Sequence, residues 1–371
     1  MTAVGDPSVD SSVAVVLVNW NGWRDTVECI DTLLAQDHEN FDIFIVDNDS
    51  SDNSIGRICA WCAEPTADTS WVKHDTVQRW SDQPCPPPVS HHVIDRPNTV
   101  LAHTRSCRVT IIRSGSNLGF AGGCNTAVRA AGPHNYDFFW FLNNDAVVAR
   151  DALAALVRRA GADPRPGITG STIRYYSASN IVQAMGGAHM DVTRGTSRHI
   201  GAGTSIGDIP ANAAAIEREM DYVMGASMLV SREFIGEIGM MQEDYFLYFE
   251  EIDWALRARG RFGLAYAPHS HVFHKVQASS NKAVGFSTWF YYRNRIRFAG
   301  RFYPQHLGKT KRGMLVEMLR HAARGRWTHV RPIAATLRDA GQLATEARRS
   351  GNQVPGTCGA EEDQPLEKGR R

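Results

Sequence analysis

The sequence predicts an α/β protein with a mostly parallel central sheet, flanked by helices and followed by a helical extension. Short apolar and β-branched runs, such as residues 13–18, are typical of strands that are buried on both faces. These runs alternate with segments of helical periodicity, and a β-α-β order implies parallel strands with a right-handed crossover. Polar residues follow four of the runs. Because open α/β sheets bind ligands at the carboxyl ends of their strands, this edge is the predicted site.

The first β-α-β unit follows from the N-terminal pattern. A strand over residues 13–18 ends at the polar segment 19–22. Apolar residues then recur every three or four positions from Trp23 to Leu34, which predicts an amphipathic helix. A second strand over residues 43–46 ends at a run of Asp, Asn and Ser residues.

Residues 61–107 interrupt this alternation. They are rich in Pro, His, Asp and Ser, and we interpret them as an insertion with weak local structure. Strands resume over residues 109–112, before a Gly-rich segment, and over residues 138–142. A helix is predicted over residues 151–159.

The second half of the chain is less regular. We predict a strand over residues 222–230, a helix over 245–259 and an extended segment over 265–274. The predicted organisation is one α/β domain over residues 13–288, a basic helical extension over 289–349 and a disordered tail over 350–371.

The composition is that of a globular chain without a global charge bias. The 371 residues are 43% hydrophobic and 21% charged, and they carry a formal charge of +1, so no nucleic-acid partner is expected. Seven cysteines suit a compartment in which thiols stay reduced. No run approaches the roughly 18 apolar residues of a membrane-spanning helix, and residues 1–12 do not resemble a signal peptide. We therefore expect a cytoplasmic protein, either free or held at the inner face of a membrane.

Acidic residues near apolar segments are the first candidates for chemistry. Asp145 follows an apolar strand, so its carboxylate is presented at the sheet edge, where it suits Mg²⁺ or Mn²⁺ shared with substrate phosphates. The alternative is a turn or helix cap. Glu250 and Glu251 lie among aromatic residues that would exclude water and raise the pKa of a general base. On a helix these two side chains diverge by about 100°, and an ordinary solvated acidic face is the alternative.

Three histidines follow Pro268 in an extended segment. His269 and His271 share one face of it, and His274 takes the other. The segment lacks the cysteine partners or the helical His pair of a closed zinc site. One histidine that joins Asp145 on a metal ion is the more economical interpretation.

In their order along the chain, these segments resemble the family 2 glycosyltransferases of the GT-A fold, especially the rhamnosyltransferase-like branch that builds bacterial surface polysaccharides. The resemblance covers residues 13–300. Asn143 stands where the family's Asp-x-Asp motif has its first acid, so Asp145 is the remaining carboxylate. The matching segments are residues 18–22, 46–54, 117–125, 142–145, 225–230, 245–259 and 272–274.

The resemblance implies a role for each matching position. Asp145 and His274 would bind Mg²⁺ or Mn²⁺. Glu251 falls where the family carries its catalytic aspartate, and Glu250 is the alternative base. Asp47 would bind the pyrimidine base of the donor, and the loop from Asn117 would pass its ribose and diphosphate. The implied substrate-binding residues are Asn19, Asn21, Asp47, Asn48, Asn117, Gly119, Phe120, Gly122 and Asn144.

The implied reaction is inverting transfer of a sugar from a nucleotide-diphosphate donor. The resemblance favours dTDP-rhamnose, then UDP-sugars, as the donor and a saccharide or polyprenyl-linked saccharide as the acceptor. One alternative is a sugar nucleotidyltransferase, which usually has a Gly-rich loop where this chain has residues 19–22. A sugar-binding domain without turnover is the other alternative, and the presence of Asp145, Glu251 and His274 argues against it.

The C-terminal extension is rich in Arg and Lys on helical periodicity. Such a helix either lies on anionic lipid or packs on the domain as a solvated helix, and both alternatives remain open. The apolar residues that would insert into lipid are Phe298, Phe302 and Trp327. The basic residues are Arg295, Arg297, Arg301, Lys309, Lys311, Arg312, Arg320, Arg324 and Arg326.

Overall fold

A computed structural model describes residues 11–65, 88–95, 107–162, 166–210, 212–276 and 284–351. The predicted tail beyond residue 351 and most of the predicted insertion lie outside these residues.

The described residues form a ten-stranded mixed sheet and a small three-stranded sheet. In the large sheet the order is β3-β4-β2-β1-β5-β12-β7-β13-β6, and β8 pairs with β7. The block from β3 to β5 is parallel throughout, as the β-α-β pattern predicts. The strands are β1 (Val13–Asn19), β2 (Phe41–Asp47), β3 (His91–Asp95), β4 (Val109–Arg113), β5 (Phe138–Leu142), β6 (Ala146–Val148), β7 (Pro166–Tyr175), β8 (Ala178–Met185), β9 (Gly187–Asp191), β10 (Thr196–His199), β11 (Tyr222–Val223), β12 (Ser227–Ser231) and β13 (Gly263–His274).

Helices cover both faces of this sheet, which confirms the predicted fold class. Alternate residues of β1 point to opposite faces, so Val15 joins one apolar cluster and Val16 the other. Helices α1, α2 and α4 pack in the cluster of Val15, and α3, α6 and α7 pack in that of Val16. The helices are α1 (Trp23–Leu34), α2 (Ser54–Ala63), α3 (Gly119–Ala131), α4 (Ala152–Ala162), α5 (Ala213–Glu219), α6 (Arg232–Ile238), α7 (Glu250–Ala258), α8 (Val284–Phe302), α9 (Leu307–Ala323) and α10 (Trp327–Gly351).

Some predicted elements differ from the observed ones. The predicted helix over residues 245–259 begins only at Glu250, because the residues before it adopt positive φ angles. The predicted strand over 222–230 is divided into β11 and β12. Within the predicted insertion, residues 91–95 form a regular parallel edge strand beside β4. The predicted boundary between residues 288 and 289 falls inside α8.

The C-terminal helices pack on the α/β domain through buried ion pairs. Arg301 contacts the fully buried Asp253 of α7 at 2.9 Å, and Arg295 contacts Glu317 of α9 at 2.8 Å. Arg297 is also buried and lies 3.1 Å from Asp244, while Phe298 is fully buried. For these three arginines and Phe298, the structure therefore favours the alternative in which the helix packs on the domain over the one in which it lies on lipid. Among the residues that the structure describes, no helix is both long and apolar enough to cross a membrane.

Candidate active site

Two polar side chains meet where β1 and β2 end. These strands pair in parallel register, which places Asn19 opposite Asp47. Asn19 Nδ2 donates to Asp47 Oδ2 over 2.7 Å, and the backbone N–H of Ser50 donates to Asp47 Oδ1 over 3.0 Å. Both side chains are buried, so the carboxylate is fixed in one orientation at the sheet edge. It offers its remaining lone pairs to a ligand.

Thr26 joins the end of β1 to the turn after β5. Its hydroxyl donates to Asn19 Oδ1 over 2.8 Å and accepts from Asn144 Nδ2 over 2.9 Å. In the first turn, Asn21 has a φ of 52°, and its Oδ1 accepts the backbone N–H of Ser51 over 2.8 Å. The turns after β1, β2 and β5 are thus connected by side-chain hydrogen bonds.

The glycine-rich segment at the start of α3 packs directly on the turn after β2. Asn48 Nδ2 donates to the carbonyl oxygen of Gly119 over 2.8 Å. Asn48 Oδ1 is buried and has no hydrogen-bond partner among the described residues. Because an orphaned buried acceptor is costly, it points to a ligand that would donate a hydrogen bond here.

Glycine is required at the start of this segment by space and by backbone conformation. Asn117 Oδ1 accepts the backbone N–H of Gly119 over 3.0 Å, and Gly119 has a φ of 72°. A Cβ at Gly119 would lie 2.3 Å from the carbonyl oxygen of Phe246, and a Cβ at Gly122 would lie 2.8 Å from Leu118 Cβ. The same Phe246 oxygen accepts the backbone N–H of Phe120 over 2.7 Å. The loop before α7 therefore packs on the start of α3 and accepts a backbone hydrogen bond from it.

The structure brings the candidate metal ligands together from β13 and from the turn after β5. Asp145 Oδ1 lies 3.3 Å from His274 Nε2, and both residues are largely buried. His274 Nδ1 lies 3.1 Å from Gln183 Oε1, so an Nδ1–H can donate to this amide oxygen, which orients the ring. Burial alone would raise the pKa of Asp145, but the hydrogen bond and charge of His274, with the charge of Lys275, hold it below its usual value. Asp145 is therefore an anion at neutral pH.

Asn143, which replaces an acid of the family motif, also contacts this pair. Its Nδ2 lies 3.2 Å from His274 Nε2, so the amide adjoins the same space. His269 and His271 precede His274 along β13. His269 is exposed, and the charged groups that act on His271 are Arg174, Asp151 and His269 rather than Asp145. Within the described part of the chain, no group of three or more His, Cys, Asp or Glu side chains forms a complete protein metal cage.

Glu250 and Glu251 begin α7 and differ in their access to solvent. Glu250 is buried, and burial together with the charge of Glu251 raises its pKa well above the usual value. Glu251 is partly exposed, and burial of its carboxyl group raises its pKa to about 7. One oxygen of each carboxyl group is buried without a hydrogen-bond partner among the described atoms. Both groups are therefore suited to exchange protons near neutral pH.

Glu251 lies close to the candidate metal ligands through a glycine. A Cβ on Gly225 would lie 3.7 Å from Glu251 Oε1, so the carboxyl group lies directly beside this glycine. The next residue, Ala226, accepts the backbone N–H of Asn143 over 3.1 Å. Residues 225 and 226 therefore connect the two candidate groups. Gly225 lies beside Glu251, and Ala226 bonds to Asn143, two residues before Asp145.

The loop that leads into α7 is strained and is held from α8. Phe246, Tyr248 and Phe249 have φ angles of 65°, 70° and 77°, which are unfavourable for large side chains. The buried Asn294 Nδ2 lies 2.8 Å from the carbonyl oxygen of Tyr245 and 3.0 Å from that of Tyr248. It also lies 2.8 Å from the carbonyl oxygen of Leu247. This single amide therefore stabilises the conformation that presents Glu250 and Glu251.

Sequence reasoning missed Thr26, Gln183 and Asn294. Gln183 is one of several polar residues in β8, and Thr26 is one of several polar residues in α1, so no local pattern distinguishes them. Asn294 is the one neutral amide in a segment of aromatic and basic residues, which is a weak signal. Their importance comes from contacts between segments that are distant in sequence.

The comparisons with known proteins agree with this geometry. The sequence matches the family described as glycosyl transferase family 2 over residues 14–64 and 97–234, just over half of the chain. N-acetylglucosaminyl-diphospho-decaprenol L-rhamnosyltransferase of Mycobacterium tuberculosis, in strains CDC 1551 / Oshkosh and ATCC 25618 / H37Rv, is 26% identical over 191 residues. That match spans 47% of this chain and 61% of the relative.

Two solved structures are similar to this chain in the course of the backbone. A mannosyltransferase from Pyrobaculum calidifontis, solved with GDP-Man and Mn²⁺, has a TM-score of 0.45 and 16% identity, with 92% of this chain and 83% of that one covered. S. aureus TarS 1–349 has a TM-score of 0.41 and 11% identity, with 92% and 90% covered. The family match includes the turns after β1, β2 and β5, where Asp47 and Asp145 lie. This chain belongs to glycosyl transferase family 2.

Proposed function

We propose that this chain is an inverting, metal-dependent glycosyltransferase that moves rhamnose from dTDP-rhamnose to a saccharide or polyprenyl-linked saccharide. UDP-sugars are the next candidate donors. The observation that carries the proposal is the placement of Asp145, His274 and Glu251 at one edge of the sheet. The rhamnosyltransferase relative supports the donor sugar and the lipid-linked acceptor. Because that protein acts on a diphospho-decaprenol substrate, a role in cell-envelope polysaccharide synthesis follows for this chain.

The donor nucleotide fits between the turns after β1 and β2 and the start of α3. Asp47, held by Asn19, would accept a hydrogen bond from the pyrimidine base. The orphaned Asn48 Oδ1 would accept one from the same nucleotide. The ribose and diphosphate would pass along the start of α3, where the close packing of Gly119 on Phe246 fixes the backbone.

Asp145 and His274 fit a divalent metal, with Mg²⁺ and Mn²⁺ as the candidates. A carboxylate oxygen and an imidazole nitrogen already face each other, and a neutral His274 ring that donates its Nδ1–H to Gln183 would direct the Nε2 lone pair toward Asp145 and a bound ion. Two protein ligands suffice where substrate phosphates supply other oxygens, and the histidine favours Mn²⁺. When bound, the ion would stabilise the negative charge that develops on the leaving diphosphate.

Glu251 is the proposed general base, and Glu250 is the alternative. The acceptor hydroxyl oxygen bonds to the anomeric carbon while the bond from that carbon to the diphosphate oxygen breaks. The hydroxyl proton passes to the Glu251 carboxylate, whose Oε1 faces the space beside Gly225. One displacement from the opposite face inverts the anomeric centre, through an oxocarbenium-like transition state.

A binding screen followed by product analysis tests this function. Thermal shifts are measured with dTDP-rhamnose, UDP-sugars and GDP-mannose, each with Mn²⁺ and with a chelator. A bound donor at 100 times its Kd should add about 2.7 kcal/mol to the free energy of unfolding. NMR of the transfer product then gives the anomeric configuration. A retained configuration, or donor binding that the chelator leaves unchanged, would contradict the proposal.

A further inference from the structure

Helix α9 presents an apolar surface to solvent. Leu315, Val316 and Leu319 are 45%, 42% and 58% exposed, and their spacing places them on one side of the helix. The inward side holds the fully buried Thr310 and Met314. Three adjacent exposed aliphatic side chains are unusual for a surface that meets only water.

The exposed charged residues of α9 and of the turn after it all have one sign. Glu317 is the one acidic residue between positions 307 and 327, and it faces inward. Its Oε2 lies 2.8 Å from Arg295 Nη1 and accepts from the hydroxyl of Tyr292 over 2.8 Å. The exposed charged residues are Lys309, Lys311, Arg312, Arg320, Arg324 and Arg326.

Contacts connect this surface to the active site. Phe246, which binds the start of α3, stacks on Phe290 of α8 at a centroid distance of 4.6 Å. The same end of α8 exposes Phe286 and Trp289, at 46% and 38%. These aromatic residues at the start of α8 therefore lie next to the loop that packs on the candidate donor site.

A pair of histidines connects the start of α8 to α9 and α10. Thr288 Oγ1 lies 3.2 Å from His329 Nδ1 of α10. The ring of His329 stacks on His321 of α9 at 4.5 Å. Trp327, at the start of α10, is 60% exposed. The start of α8, the end of α9 and the start of α10 thus form one corner with exposed aromatic side chains.

We propose that α9 and this corner dock on an anionic lipid surface. Exposed aliphatic and aromatic side chains on and next to a helix whose exposed charged residues are all basic match the apolar and electrostatic requirements of an interfacial helix. A symmetric contact with a second copy would bring two positively charged faces together, which disfavours that occupant. The inference deepens the proposed function and relies on it for the lipid-linked acceptor, since docking here would bring the active site to the membrane surface.

Sedimentation of the full chain with vesicles tests the surface. The chain should bind vesicles that contain phosphatidylglycerol at low salt, and should not bind pure phosphatidylcholine vesicles. Binding should fall steeply at 1 M salt, where the Debye length is about 3 Å. The Lys309→Gln, Arg312→Gln, Arg320→Gln variant should reduce the partition coefficient at least tenfold, since each basic residue contributes about 1 kcal/mol near an anionic leaflet.

Two further variants separate charge from apolar contact. The Leu315→Ser, Leu319→Ser variant should also lose vesicle binding, while Val93→Ser and Arg158→Gln, which alter exposed residues elsewhere, should bind like the parent chain. All variants should keep the parent rate of transfer to a water-soluble acceptor, so that failure of the enzyme and failure of the surface are distinguishable. Absence of parent binding to anionic vesicles, or equal binding by all variants, would overturn the proposal. A parent dimer that the serine variant dissociates, without vesicle binding, would overturn it in favour of self-association.

Discussion

The side-chain amide of Asn294 lies 3.0 Å from the carbonyl oxygen of Tyr248 and so ties α8 to the loop before α7. That loop contains three non-glycine residues at positive φ, a conformation that persists only where surrounding contacts impose it. The C-terminal helices are therefore part of the support for the candidate base.

Replacing Asn294 tests this support. Asn294→Leu keeps the volume but removes the donor from buried carbonyl oxygens, so we expect the free energy of unfolding to fall by about 1–3 kcal/mol. Transfer should slow at least tenfold because the loop presents the base, and donor affinity should also fall because Phe246 of this loop packs on the start of α3. Denaturant unfolding, kcat and donor titration measure these effects. The control is Asn212→Leu at an exposed position, and equal kcat in both variants would remove the positioning role.

Amide substitutions distinguish the two glutamates. Glu251→Gln keeps the shape of the side chain and removes its basicity, so transfer should fall by about 10²–10⁴-fold with donor binding intact. Glu250→Gln should cost far less, because its carboxyl group is buried, and burial with the charge of Glu251 raises its pKa well above the usual value. The exposed Glu219→Gln serves as control. If Glu250→Gln is the inactive variant and Glu251→Gln transfers normally, the two roles are exchanged.

The pKa of Glu251 predicts a pH dependence. Burial raises this pKa from 4.5 to about 7, and the base must be ionised to accept a proton. The plot of kcat against pH should therefore rise through about pH 7 and then level off.

Stability should change in the opposite direction. A carboxyl group whose pKa is raised on folding binds more protons in the folded state, so the free energy of unfolding falls as pH rises from about 4.5 to about 7. Glu251→Gln should remove part of that fall, as denaturant titrations at pH 5 and pH 8 would measure. An identical pH dependence of stability in the variant would contradict the raised pKa.

Local sequence patterns predicted the strands and missed the contacts between them. The predicted and observed bounds of the strand Phe138–Leu142 agree, because a short continuous apolar run is stable as a strand that the sheet buries. The residues alone predict a histidine beside Asp145, but the choice of His274 depends on the resemblance to the family. The start of α7 was predicted wrongly, because the apolar spacing before Glu250 resembles a helix although the backbone there takes positive φ. Gln183 and Asn294 act across long sequence distances, which periodicity does not register.

The orientation of His274 provides a test of the metal site. Asp145→Asn should abolish the Mn²⁺ dependence of donor binding, because it removes the one anionic ligand. Gln183→Leu leaves both ligands in place but removes the acceptor that fixes the ring, and such changes typically weaken metal binding by about 10–100-fold. Calorimetry with Mn²⁺ and nucleotide measures both effects. The exposed Asp208→Asn is the matched control, and unchanged Mn²⁺ dependence in Asp145→Asn would refute the site.

Two glycines with similar φ angles distinguish the cost of the backbone conformation from the cost of a steric clash. Gly115 and Gly119 have φ angles of 76° and 72°, but a Cβ at Gly115 would meet nothing within 4 Å, whereas one at Gly119 would lie 2.3 Å from Phe246 O. Gly115→Ala should therefore cost only the left-handed backbone penalty, about 1–2 kcal/mol in the free energy of unfolding. Gly119→Ala should cost more and should also weaken donor binding, because it pushes the Phe246 loop away from the start of α3. Unfolding titrations and donor affinity of both variants measure this difference. Equal losses of stability with unchanged donor affinity would mean that the close approach of Phe246 to Gly119 does not shape the donor site.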